Sequence, residues 1–405
     1  MKNIQDDPDE ERHRQPAPIR SGERSGVDMA LTVGYDGKFL WQGKSFGSRS
    51  GHGVHARQLL KEMLECWPQG RFKVYALDDE LGIVHRPNCQ VVPLPRYARS
   101  SFLRNLIAYP IELKRHPIDV LLSFSTLPAY APCKTVLLLA DVFWLANPGW
   151  LPPHIALLRT LATRSSVKRA DRIVTTTEFS RREIMRILHV PSEKIVVVPH
   201  GIRTEFTKRL SAARISEVRT RYNIEQQYIL SLNDIHPRKN LEGLVEAFGR
   251  LKSRSGLPHQ LVIAGRSLWP YPTFYRRVES SQFADDIRVL GYVPSEDVLA
   301  LYQGAGLFVY PSFYEGWGLQ VHEAMLAGVP VTVANNTTLP EIAGDAADTF
   351  DPHDTGEMSR SMERILTDTA LRDTLVARAI ERVKRYSWRE AAEATLAVCA
   401  SLGAE

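Results

Sequence analysis

The chain has 405 residues, of which 44% are apolar and 24% charged, and a formal net charge of +5. That length exceeds one ordinary core, so two domains are expected, and so modest a charge does not point to nucleic acid as a partner. No run approaches the ~18 apolar residues of a membrane span, and four scattered cysteines (Cys66, Cys89, Cys133, Cys399) without a CxxC pair argue against a disulfide framework or a zinc site.

Residues 1–28 are rich in Asp, Glu, Arg, Gln and Pro and nearly empty of large apolar side chains. They cannot bury enough surface to offset their ordering entropy and are expected to be disordered. Met29 directly precedes the first strand-like run, ALTVGY, and is an alternative start of translation. No apolar signal core is present near the N-terminus, so a cytoplasmic location is expected.

Short Val-, Ile- and Leu-rich runs then follow: RFKVYAL, DVLLSF, KTVLLLADVFW, DRIVTTT and KIVVVPHG. Helical patterns such as VHARQLLKEMLECW and FSRREIMRILH separate them. Continuous apolar runs between helices predict parallel strands covered on both faces. The rhythm breaks at the polar GIRTEFTKRLSAARISEVRTRYNIEQQ and restarts with YILSLND, HQLVIAG, DIRVLGYV, LFVYPS and VPVTVA, again alternating with helices. Two such series predict an α/β architecture of two doubly wound, Rossmann-like domains facing each other across a cleft. The expected divisions are 29–205 for the first domain, 206–226 for the linker, 227–385 for the second domain and 386–405 for a closing helix. Ligands of such sheets sit beyond the carboxyl ends of the strands, so the loops after each apolar run are the functional places.

Two basic stretches lie in the first half. One carries Arg96, Arg99, Arg104, Lys114, Arg115 and His116 against Glu112 alone; the other carries Arg159, Arg164, Lys168, Arg169 and Arg172. The first pairs Phe102 with Leu106 and Leu103 with Ile107 at helical spacing, with Pro110 expected to limit the helix. It reads equally as a helix lying on an anionic membrane or as a buried helix with a charged outer face.

The densest chemistry is in VYPSFYEGWGLQVHEAMLAGVPV, where Glu315 and Glu323 flank the turn Gly316-Trp317-Gly318 and a helix is expected from about Leu319. The open N–H groups and dipole of a helix start favour a phosphate, and glycines admit a ligand close to the backbone. The two oxygens of Glu323 suit a vicinal diol such as ribose, and Glu315 suits hydroxyls on the far side of the phosphate. Upstream, LNDIHPRKNLEGL puts Arg238 and Lys239 between a strand and a helix, where a forked and a point cation can neutralise a leaving diphosphate.

The stretch PSFYEGWGLQVHEAMLAGVPVTVANNTTLPEIAGDAA resembles the signature of the retaining glycosyltransferases of family 4, which have the GT-B fold, and the likeness runs from GHGVHARQLLKEM to YSWREAAEATL. The resemblance implies Glu323 on the donor ribose, Glu315 on the transferred sugar, and main-chain contacts from Trp317, Gly318 and Leu319. It implies a phosphate role for Arg238 and Lys239, although many relatives carry a further basic residue where this chain has Asp234. It places Tyr292 and Val293 beside the base, leaves Arg266 either near the diphosphate or on the surface, and puts Gly53 in a glycine-rich loop facing the donor sugar. Gly51, Gly53 and Ala56 also fit the G-x-G-x-x-A of dinucleotide folds, but some fifteen residues separate them from the preceding strand, so a nicotinamide site is rejected. His52 and His55 read as loop and helix-surface histidines, and His200 as a hinge residue. Many relatives have His-Asp where this chain has Ala140 and Asp141, leaving Asp141 to contact the sugar or orient the acceptor.

A D-x-D occurs as Asp7-Pro8-Asp9, inside the expected tail, so no metal and no further cofactor are expected. The co-substrate implied is a nucleotide sugar, with GDP-mannose favoured because TLPEIAGDAA resembles enzymes of bacterial surface polysaccharides; UDP- or ADP-glucose are the alternatives. The acceptor is a glycan or lipid-linked sugar, with peripheral membrane association. A glycoside hydrolase using the two glutamates, a nucleotide-sugar epimerase and a non-catalytic donor-binding partner remain as rivals.

Overall fold

The computed structural model describes residues 31–40, 51–77, 86–267 and 270–403. The tail 1–28, Met29 and the Asp7-Pro8-Asp9 triplet lie outside the described residues. Seven strands form the first sheet: β1 (Thr32–Asp36), β2 (Arg71–Ala76), β3 (Cys89–Pro93), β4 (Val120–Phe124), β5 (Lys134–Leu138), β6 (Arg172–Thr175) and β7 (Ile195–Val197). Their order is β3-β2-β1-β4-β5-β6-β7, parallel throughout. Six more form the second: β8 (Tyr228–Leu232), β9 (Gln260–Ala264), β10 (Ile287–Gly291), β11 (Leu307–Tyr310), β12 (Val331–Ala334) and β13 (Asp348–Phe350). They run β10-β9-β8-β11-β12-β13, also parallel.

Every residue of β4, β9 and β12 is buried, because helices cover both faces and leave no polar side to the strand. β3 and β13 are the strands the sequence did not announce. Both are edge strands with exposed or half-exposed positions, and their polar residues mask any continuous apolar run. The second sheet reverses direction between β8 and β11, so the loops after these two strands flank its topological switch point. The amide of Phe313 bonds the carbonyl of Arg238 at 2.9 Å and ties the two loops together.

Three features hold the halves against each other. The terminal helix Trp388–Gly403 returns to the first half, where Trp388, Ala392, Leu396 and Cys399 share one core with Leu59, Leu60 and Met63 of the helix Gly51–Cys66. Gly201 lets the connector pass Trp388, since a Cβ there would lie 2.2 Å from the Trp388 nitrogen. Finally, the carboxylate of Glu341 seats on the start of the helix Glu178–Leu188, accepting from the amides of Glu178 at 2.8 Å and Phe179 at 3.0 Å.

Pro110 does not end its helix. Residues 101–115 stay helical through a π turn at Arg104–Ala108, one turn before the proline. That wider turn relieves the clash between the proline ring and the preceding carbonyls. Arg104, Tyr109 and Leu113 face inward, whereas Phe102, Leu106 and Ile107 face solvent.

Because Trp388 joins the terminal helix to the first core and to the connector, Trp388→Ala is expected to cost about 3–5 kcal/mol, read as a fall in urea midpoint.

Candidate active site

The loop after β8 is shaped by its own side chains. His236 Nδ1 accepts the Arg238 amide at 3.1 Å, and Asn240, at φ 52°, turns the chain into the helix Leu241–Ser255 while its amide donates to the Pro352 carbonyl at 2.7 Å. This geometry aims Arg238 and Lys239 at the loop after β11. Lys239, only 6% exposed, places Nζ 2.5 Å from Glu315 Oε1 and 3.0 Å from the Tyr310 hydroxyl. Arg238 Nη1 lies 2.9 Å from Glu315 Oε2 and donates to the Tyr314 carbonyl at 2.5 Å. Each oxygen of Glu315 therefore holds one cation. Burial alone would raise the Glu315 pKa, but Arg238 and Lys239 outweigh it and bring it down to about 2. Burial lowers Lys239 to about 8, with Glu315 opposing and Arg238 reinforcing that shift.

Gly318 begins the helix Leu319–Ala327 at φ 111°, a conformation that favours glycine, and a Cβ would press within 3.2 Å of Leu339 and Ile342. Trp317 is committed to packing: its ring meets His200 at 5.1 Å, Tyr386 at 5.3 Å and His322 at 5.5 Å. Its backbone is what remains for a ligand. Gly316 touches the other half of the molecule. A Cβ on it would lie 2.6 Å from Asp141 Cβ and 2.9 Å from the Ala140 carbonyl, and its own carbonyl accepts from Thr176 Oγ1 at 2.9 Å. Asp141 Oδ1 accepts the Phe143 amide at 3.3 Å; burial lowers the Arg159 pKa against the opposing charge of Asp141, whereas for Arg238 burial is outweighed by Glu315 and Asp141.

Glu323 is also buried and doubly held. The Tyr302 hydroxyl donates to Oε2 at 3.1 Å, and the guanidinium of Arg203 pairs with Oε1. Arg203 lies on the connector after β7, stacked 4.5 Å over the Phe206 ring. Sequence reasoning passed over it, since one arginine in a charged connector carries no signal. The structure thus gathers Arg238, Lys239, Glu315, Gly316 and Asp141 in one cluster, with Glu323, Gly318 and Leu319 on the adjoining helix. Gly53 is buried in the first turn of the helix Gly51–Cys66, and a Cβ on Gly51 would lie 3.7 Å from the Leu319 side chain. Tyr292, half exposed, and Val293, buried, follow β10, two strands away from β8. Arg266 is engaged by Asp234, Nε to Oδ1 at 3.1 Å and Nη2 to Oδ2 at 3.3 Å.

One expectation is corrected. His55 is not on the helix surface but buried 4.0 Å from the ring of His200, with Trp388 against both. The helix is covered there by the returning C-terminal segment, which local periodicity cannot show. Burial holds His55 down to about 3, His322 to about 4 and His200 well below its ordinary value, so all three are neutral at pH 7. Among the described residues no three His, Cys, Asp or Glu side chains gather as a metal-binding set.

Two facing doubly wound sheets, with paired cations at a switch point and a glycine-started helix beside them, define the class of two-domain GT-B proteins. Comparison with known proteins gives the family. Residues 215–382 match the profile described as Glycosyl transferases group 1, and residues 49–206 match Glycosyltransferase Family 4. The O-antigen chain mannosyltransferase B of Escherichia coli is 34% identical over 257 residues, covering 63% of this chain and 67% of that protein. The E. coli serotype-specific mannosyltransferase WbdA is 31% identical over 271 residues, 64% of this chain but 32% of its own length. Among solved structures, Anabaena HepE in complex with UDP and glucose aligns over 92% of this chain and 100% of its own, with a TM-score of 0.68 at 15% identity. The chain belongs to the group 1, family 4 glycosyltransferases.

Two outcomes follow from the geometry. Arg203→Met leaves a buried carboxylate with one partner fewer and is expected to cost about 1–3 kcal/mol, with a non-additive double-mutant cycle against Glu323→Gln in urea melts. The three neutral histidines have folded pKa values below the unfolded value near 6.5, so the unfolded state binds more protons and stability falls as pH drops from about 6.5. For His55 that loss extends to about pH 3. Thermal melts across this range should show a slope that His55→Gln flattens.

Proposed function

We propose that the protein transfers a hexose, with mannose from GDP-mannose favoured, from a nucleotide sugar to a glycan or lipid-linked acceptor of a cell-surface polysaccharide. Transfer retains the anomeric configuration, requires no bound metal, and takes place at the cytoplasmic face of the membrane. The observation that carries this reading is the convergence of Arg238 and Lys239 on the two oxygens of Glu315 at the switch point. A diphosphate entering beside Gly316 and Gly318 takes over these cations and adds the amides of the helix start. Glu315 is thereby released toward the sugar hydroxyls, and Glu323, oriented by Arg203 and Tyr302, accepts from the ribose diol. The bond between the anomeric carbon and the phosphate oxygen breaks as the acceptor oxygen bonds the same face, and the acceptor proton passes to the departing phosphate. Positioning and charge neutralisation supply the catalysis, with no protein nucleophile.

The names of the E. coli relatives support mannose, and the UDP and glucose held by the Anabaena protein support a nucleotide-sugar site. The hydrolase alternative fits poorly: a general acid needs a raised pKa, and Glu315 is pushed the opposite way.

Calorimetry with GDP, UDP, ADP and their sugars tests the reading. GDP-mannose should bind most tightly, and transfer should persist in EDTA; no heat with any of them would end the proposal. Glu323→Ala is expected to raise the donor KM roughly 10- to 100-fold with a smaller change in kcat. Lys239→Ala should lower kcat on the order of 10²-fold, the cost of losing one group that stabilises developing charge. Since Lys239 loses its proton near pH 8 in the donor-free protein, kcat/KM should fall above about pH 8. Lys239→Arg should remove that alkaline limb.

A further inference from the structure

The first half of the molecule exposes large apolar side chains on two separate helical faces. On the helical stretch 101–115 these are Phe102 (70% exposed), Leu106 and Ile107; on the helix Pro153–Arg169 they are Leu157, Leu158 (64%) and Leu161. One loop joins the two. The Ala129 amide donates to the Asn105 carbonyl at 2.8 Å, while the Leu127 amide donates to Ser166 Oγ at 2.9 Å. The two elements are therefore tied to each other through residues 127–129.

The charges around them are mostly basic. Arg96, Arg99, Lys114 and Arg115 border the first face, and Arg159, Arg164, Lys168 and Arg169 lie along the second helix. That helix contains no acid at all. The single acid of the first stretch, Glu112, is buried and paired with Arg115 at 3.1 Å. The other carboxylates near these elements are Asp141, in the cleft, Asp119, which accepts the Thr32 amide, Asp171, just past the second helix, which accepts the Thr135 amide at 2.8 Å, and Glu193 beside Lys194. A rim in which basic side chains predominate around short apolar turns complements an anionic lipid surface. The exposed Tyr130 ring, 5.5 Å from Lys114 Nζ, adds an interfacial aromatic. No helix among the described residues is long and apolar enough to cross a membrane, so the contact is shallow.

We infer that these two faces form one docking surface for an anionic lipid bilayer, with Phe102, Leu106, Leu158 and Leu161 as its inserted side chains. The surface borders the active site: Arg159, between Leu158 and Leu161, lies 5.8 Å over the Trp144 ring and is near enough to Asp141 to interact with its charge. A lipid-linked acceptor held in the bilayer would enter the cleft from this side. That purpose rests on the proposed transfer to such an acceptor, whereas the docking itself does not.

The test is co-sedimentation of the full chain with vesicles of phosphatidylcholine alone or mixed with phosphatidylglycerol. Binding is expected to the mixed vesicles, to weaken with added salt, and to drop roughly tenfold in either F102S/L106S or L158S/L161S. Calorimetric binding of GDP, UDP or ADP should be unchanged in these variants, which also confirms their fold. Equal vesicle binding by the wild type and both variants overturns the inference. So does an absence of binding by a chain that sediments as a dimer and turns monomeric in L158S/L161S, since a second copy then covers the face. A wild-type chain that binds a nucleotide but neither kind of vesicle would sink the surface while leaving the transferase reading untouched.

Discussion

A carboxylate shared by two cations organises this site. Glu315 is 6% exposed, and a lone charge at that depth would be intolerable in either direction. Arg238 and Lys239 reach it from a different loop, and Glu315 in turn keeps two basic groups charged and pointed at one spot. The arrangement is a preformed anion site whose occupant is the protein's own glutamate. In the proposed reaction a diphosphate replaces it, so that each cation keeps an anionic partner at every stage. The loops carrying the three residues are themselves fixed by the Phe313 to Arg238 backbone bond and by strands β8 and β11, which lie side by side.

The same economy appears where the halves meet. Gly316 has no side chain because Asp141 and Ala140 occupy the space one would need, and Thr176 holds its carbonyl. Glu341 uses its charge on the start of a helix from the opposite half. Arg203, on the connector, pairs with Glu323. Each half therefore contributes atoms to the other's loops, so a change in their relative position must alter the surroundings of Glu315 and Glu323 directly. The returning helix Trp388–Gly403 makes that coupling firmer by packing one end of the chain into the core built by the other.

The proposed transfer needs a stabilised leaving group more than a protein nucleophile, and the electrostatics are compatible with it. Glu315 is held ionised by two cations, which suits hydrogen bonding to a sugar and suits neither acid catalysis nor attack. Asp234 is paired with Arg266, so an acid at this position leaves no unpaired charge beside Arg238 and Lys239.

Local pattern by itself fixed a great deal. Buried parallel strands write themselves as continuous apolar runs, so eleven of the thirteen, the alternation with helices and the division into two sheets were all legible. Glu315, Arg238 and Lys239 could be singled out as candidates because ligand-binding loops of such sheets follow directly after their strands, and Glu323 through the family resemblance. Tertiary structure alone decided which groups meet. Nothing near Arg203 in the chain points to Glu323, which lies 120 residues on. The burial of His55 depends on a helix that arrives from the far terminus. The exposure of Leu158 depends on what fails to cover it, and Pro110 stays inside a helix because a π turn absorbs its bulk. Periodicity reports a residue's immediate neighbours along the chain; contact, burial and charge depend on neighbours brought there by folding.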